Sequence, residues 1–142
     1  MTCFPDVNVW LALAVIEHVH HAAAAAWYES GSCEKIAFSR ITQMGFLRLL
    51  TNNKALGSDA LTVVEAWKKF DLWRGAERVT YATEPDGLER EWRNLSTTPG
   101  HGANFWTDAY LVAFAARSGF TLVTFDRQLS RTKGVAVELL GA

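Results

Sequence analysis

The chain has 142 residues, 49% of them hydrophobic and 20% charged, and a formal net charge of −1. These values exclude a disordered chain, carry no global basic signal for nucleic acid, and fit a single domain over residues 1–142 with a real core. No apolar run approaches the roughly 20 residues of a membrane span, and the N-terminus lacks the basic-then-apolar pattern of a secretory signal, so a cytoplasmic protein without a membrane partner is expected.

Thr2–Phe4 reads as a short first strand, and Pro5, which cannot donate to a ladder, marks its end. Asp6 follows at once, and Asp6 or Asn8 is placed to cap a helix through Ala14. The histidines of Glu17–His21 lack a ligand spacing and read as a solvated turn before a helix from His20 to Glu29, closed by Gly31. The two cysteines, Cys3 and Cys33, indicate neither a disulfide framework nor a zinc site and are expected to be small buried residues.

Lys35–Phe38 is the second strand. Ser39 is a cap candidate for a helix over Ile41–Leu50, with Ile41, Met44, Leu47, Leu49 and Leu50 toward the core and Gln43 and Arg48 facing elsewhere. Gln43, one turn into a helix that follows a strand, is either an exposed polar residue or a residue looking toward the same edge as Asp6. Residues 51–57 read as a loop, and Arg48 and Lys54 beside it are candidate phosphate contacts. Ser58 is expected to cap a long helix to about Trp73 whose apolar stripe includes Val64, Trp67, Phe70 and Leu72. A third strand over Arg78–Tyr81 and a helix from Pro85 to Leu95 follow. The glycine-rich run Ser96–Asn104 matches neither G-x-G-x-x-G nor the P-loop; it reads as a loop bordering a site, with His101 as a candidate substrate contact.

The stretch Phe105–Asp126 organises the rest. Tyr110, Leu111, Phe114 and Ala115 follow helical spacing, Gly119 stops the helix, and Phe120–Phe125 is a short buried strand. Because the strand runs back along the helix, Asp108 and Asp126 are expected at one edge of the domain, outside the carboxyl ends of the strands, where sites form in open α/β sheets. After Asp126, Arg127–Leu129 is a turn of helix and Val135–Leu139 a last strand. The order of elements implies an α/β fold with a central, mostly parallel sheet of about five strands flanked by helices on both faces.

Asp6, Asp108 and Asp126 thus converge from separate parts of the chain. Three carboxylates in one cleft repel and need protons or a cation. Oxygen ligands of this kind suit Mg²⁺, with Mn²⁺ as a substitute, and such a centre activates water beside a scissile phosphate.

Four segments in this order carry a resemblance that covers essentially the whole chain. They are Phe4–Trp10, the helix Arg40–Asn52, Trp106–Tyr110 and Val123–Arg127. Together they resemble the PIN-domain ribonucleases that act as VapC toxins in type II toxin–antitoxin modules. The resemblance implies a PIN-like fold, a divalent metal, cleavage of RNA, a cognate VapB-like antitoxin that blocks the site, and a homodimer or larger toxin–antitoxin assembly. It implies Asp6 and Asp108 as principal metal ligands and Asp126 as the last catalytic acid, aiding through water. The family's further glutamate is replaced by Gln43, which is neutral and cannot balance a second cation, so one metal is expected. Asn8, Gln43 and Thr107 are candidates for supporting the ligands, and Arg48, Lys54, His101 and Arg127 for contacting RNA. Two competing readings are a catalytically weakened PIN-like module that binds RNA or protein, and a haloacid-dehalogenase-like phosphatase with Asp6 as nucleophile. The phosphatase reading suffers from Asn8, which stands where a second acid would protonate the leaving group.

Overall fold

A computed structural model describes residues 1–97 and 102–141. Its centre is a five-stranded sheet in the order β3-β2-β1-β4-β5, with every neighbouring pair parallel. The strands are β1 (Thr2–Pro5), β2 (Lys35–Phe38), β3 (Val79–Tyr81), β4 (Thr121–Thr124) and β5 (Val137–Leu139). They are short apolar runs because both faces of the sheet are covered.

Alternation along each strand sends side chains to two separate cores. Cys3, Ile36, Phe38, Val79 and Val123 join the helices α1 (Val7–Ala14), α2 (His21–Glu29), α3 (Arg40–Leu50) and α5 (Val63–Arg74) on one face. Phe4, Ala37 and Leu122 join α6 (Leu88–Leu95), α7 (Phe105–Ser118) and α8 (Arg127–Ser130) on the other. The first crossovers therefore wind one way from β1 and the later ones the other way, leaving a switch point between β1 and β4. Asp6 directly follows β1 and Asp126 lies two residues beyond β4, so both stand at that crevice.

Several local expectations change. Cys3 and Cys33 are buried as expected, but they are joined in a disulfide. β1 and β2 are neighbours, with Cys3 opposite Ile36, and this brings the two Cα atoms to 5.8 Å although 30 residues separate them. Closing a loop of that length corresponds to about 3–4 kcal/mol of stabilisation in the chain-entropy account. Residues 51–57 are not an open loop: they contain the single-turn helix α4 (Asn53–Leu56), followed by a 3-10 turn at Gly57–Asp59. The long helix starts at Val63 rather than after Ser58, because Thr62 and Glu65 form a reciprocal capping box that Ser58 does not. Of the expected stripe Phe70 is buried, beside Ala66, while Val64, Trp67 and Leu72 are exposed, as is Val63.

Helix α3 turns Ile41, Leu47, Leu49 and Leu50 toward the cores as expected and departs at Met44. Thr42, Gln43, Gly45, Phe46 and Leu50 are buried, and Met44 is 56% exposed. The cause is Gly45, which faces α1: a Cβ there would lie 2.6 Å from Cγ2 of Val7. Gly45→Ala is therefore expected to destabilise the protein by about 1–2 kcal/mol, the overpacking outweighing the better helix propensity of alanine. Urea titrations should show a lower midpoint, and adding Val7→Ala to the same chain should recover most of the loss.

Candidate active site

The backbone brings Asp6 into place first. Its amide N–H donates to the carbonyl of Val123 at 2.9 Å, continuing the β1–β4 ladder, and its carboxylate caps α1 by accepting from the Val9 N–H at 3.1 Å. The second carboxylate oxygen accepts from the hydroxyl of Thr124, the last residue of β4. That hydroxyl also accepts from the Asp126 N–H at 3.0 Å. One buried threonine thus ties the Asp6 side chain to the backbone of Asp126. Asp126 caps α8, accepting from the Gln128 N–H at 2.8 Å. Asp108 arrives from the first turn of α7.

Asp108 and Asp126 line a cleft of about 570 Å³, together with Phe105 and residues of α7 and α8. Asp6 lies deeper, only 7% exposed, and is not part of the cleft lining. The three acids still sense one another. Burial, then Asp126, then Asp6 push the Asp108 carboxyl up to about 6. Burial also raises the Asp6 carboxyl, with a smaller push from Asp126; the hydrogen bonds from Thr124, Val9 and Asn8 oppose the rise. As the side chains stand, no three His, Cys, Asp or Glu residues among those described are grouped as a set for a metal ion. The donor chemistry nevertheless fits a hard divalent cation. A carboxylate whose charge is disfavoured by burial and by neighbouring acids, as at Asp108, gains from a cation as it does from a proton, and Asp108 and Asp126 meet open space on one side.

The other candidates divide. Asn8 contributes its backbone N–H toward Asp6, while its side chain is exposed. Gln43 is buried, not exposed, and its carboxamide oxygen accepts from Arg40 at 2.7 Å and from the Tyr81 hydroxyl at 3.3 Å. It does not line the acid cleft. Thr107 faces a neighbouring groove with Arg40. Arg127 is exposed beside Asp126; Arg48 is exposed at the rim of a groove between α3 and α5, and Lys54 is exposed on α4, neither lining the acid cleft. His101 lies outside the described residues. The residue that sequence reasoning missed is Thr124. In a β-rich run its hydroxyl reads as a strand former, and only its place two residues before an acid at a strand end hints at more.

The fold and this cleft match a known family. The PIN domain family model matches residues 3–135. Ribonuclease VapC41 of Mycobacterium tuberculosis is 42% identical over 140 residues, covering 95% of this chain and 96% of its own. The structure of VapBC2 from Rickettsia felis, bound to a DNA fragment from their promoter, superimposes with a TM-score of 0.74 at 16% identity, covering 99% of this chain and 100% of that one. Mycobacterium tuberculosis VapC20, a sarcin–ricin-loop-cleaving toxin, gives 0.66 at 22% identity over 92% of this chain and 93% of its own. The chain belongs to the PIN-domain family of nucleases. Within that family it is one of the VapC ribonucleases.

Thr124→Val keeps the shape of the side chain but removes both hydrogen bonds of its hydroxyl. It is expected to cost about 1–3 kcal/mol in chemical denaturation, since it leaves a buried carboxylate short of a donor, while Thr124→Ser should cost less than about 1 kcal/mol. The raised Asp108 carboxyl has its own signature in metal-free protein. Its unfolded value is near 3.8 and its folded value about 6, so its contribution to stability is full below 3.8 and is lost as pH rises toward 6. Asp108→Asn in EDTA should therefore melt above the wild type at pH 7.5, with the difference closing toward pH 4.

Proposed function

We propose that this chain is a Mg²⁺-dependent endoribonuclease that hydrolyses RNA phosphodiester bonds, and that it is the toxin of a toxin–antitoxin pair. The observation that carries the reading is the gathering of three carboxylates at the β1–β4 switch point, two of them facing an open cleft. Asp108 would hold the cation from the cleft side; of the other two acids, Asp126 rather than the expected Asp6 lines that cleft, so Asp126 is the better second ligand, with Asp6 behind them. A divalent cation bound there supplies a more acidic water and neutralises charge on the scissile phosphate.

The chain's own residues do the rest. Thr124 and the N-terminus of α1 fix the Asp6 carboxylate, and Thr124 also holds the Asp126 backbone. The N-terminal turn of α7, which carries Asp108, presents the positive end of a 14-residue helix at the cleft, a favourable place for a phosphate. Gln43 adds no charge, and its oxygen is already engaged by Arg40 and Tyr81, which supports one cation rather than two. The same neutral residue favours the competing reading of a module with weakened catalysis.

VapC20 is a toxin and VapBC2 binds a DNA fragment from their promoter; by that likeness we assign this chain an antitoxin partner, and from the family resemblance self-association as a homodimer. The exposed Val63, Val64, Trp67 and Leu72 of α5 offer apolar area for a protein partner.

Purified protein should cleave RNA in Mg²⁺ or Mn²⁺ and lose that activity in EDTA. Asp108→Asn and Asp6→Asn should each reduce cleavage at least about 100-fold with the fold intact by circular dichroism. An Asp108→Asn variant that cleaves like the wild type would remove Asp108 from the site, and wild type without metal-dependent cleavage would leave only the binding module.

A further inference from the structure

Next to the acid cleft lies an aromatic ridge that metal-dependent hydrolysis does not use. Trp106 follows Phe105 at the start of α7 and is 61% exposed. It borders two grooves. One, of about 370 Å³, contains Arg40, Met44, Thr107 and Tyr110; the other, of about 450 Å³, contains Arg93 and Ser96. Trp92 of α6 borders both as well.

The indole is held from behind. Trp92 meets Trp106 edge to face at 6.5 Å and Phe105 meets it at 5.1 Å, while the Trp92 indole N–H donates to the Trp106 carbonyl at 3.1 Å. Tyr110 in turn packs edge to face on Trp92 at 5.4 Å. A large apolar ring fixed in this way and left open to solvent is a preorganised surface for a flat partner.

Two features point to a nucleotide. The ridge is continuous with the cleft, since Phe105 lines the cleft beside Asp108 and touches Trp106, and Thr107 faces the adjoining groove. Arg40 is exposed and forms no ion pair among the described residues; its guanidinium donates to Gln43 at 2.7 Å and lies over the Tyr81 ring at 5.3 Å, which leaves further N–H groups for a phosphate, whereas Arg93 is already paired with Glu89 at 3.1 Å. Glu84, the acid in the same groove, accepts the Tyr110 hydroxyl at 3.0 Å. Large exposed apolar side chains on this groove are limited to Met44 and Trp106, sparse for a face that a second copy would cover.

We propose that Trp106 is a stacking platform for an unpaired base of the RNA next to the scissile bond, with Arg40 contacting a phosphate of the same strand. The inference rests on the ribonuclease reading above and assigns the surface beside α7 to one unpaired base, because only a splayed base offers its face to an indole.

The test uses a short fluorescein-labelled single-stranded RNA of mixed sequence and full-length protein carrying Asp108→Asn to prevent cleavage. Fluorescence anisotropy gives Kd, and light scattering gives the mass at the same concentrations. Trp106→Ala should raise Kd about 10-fold or more, and Trp106→Phe should stay within about threefold. Arg40→Gln should weaken binding and lower the slope of log K against log salt by about 0.7, as expected for one lost phosphate contact. Unchanged Kd for Trp106→Ala, with wild type still cleaving RNA, overturns the platform and leaves the nuclease reading intact. A changed mass for Trp106→Ala assigns the face to a second copy and also overturns it. Wild type that neither cleaves nor binds RNA removes both readings together.

Discussion

The structure depends on how one buried carboxylate is satisfied. Asp6 sits at the end of the central strand, shielded from water, and burial alone would drive it to take up a proton. Two donors oppose this, one from the first turn of α1 and one from the end of β4. The same contacts that make the charge tolerable also lock β1, α1 and β4 together. The architecture around them follows the same logic. Strands covered on both faces leave their carboxyl ends as the place where polar groups can collect, and the reversal of winding between β1 and β4 opens the crevice in which they do so.

Much of this was legible in the chain. β2 is bounded as expected, and β1 and β4 stand out because short apolar runs end at proline or aspartate. The pairing of Asp108 with Asp126 follows from simple lengths, a helix and the strand that returns along it. The full buried side of α3 was not legible, because it is built from Thr42, Gln43 and Gly45 as well as Phe46 and Leu50. Periodicity weighs large apolar residues and therefore placed Met44 inside. Gly45 marks the close approach of α1, which a single sequence does not reveal.

The cysteines and Thr124 escaped for a related reason. Both act through strand adjacency. Cys3 and Cys33 are 30 residues apart, and only the β1–β2 register brings them together. Thr124 earns its role from a partner 118 residues away. Local propensity describes such residues correctly as strand or core formers and stays silent on what they join. The family resemblance carried the acids across that gap because its motifs name residues and not contacts.

That separation of 118 residues has a consequence for how the molecule comes into being. Asp6 is synthesised 118 residues before Thr124. At typical elongation rates of about 5–20 residues per second, roughly 6–24 s pass between them. Throughout that interval β1 can pair with β2 but lacks its other neighbour, and the first carboxylate waits without the hydroxyl that holds it. A ribosome stalled anywhere before β4 therefore carries a chain with an unfinished centre, in which Asp6 and Asp126 are not yet tied together.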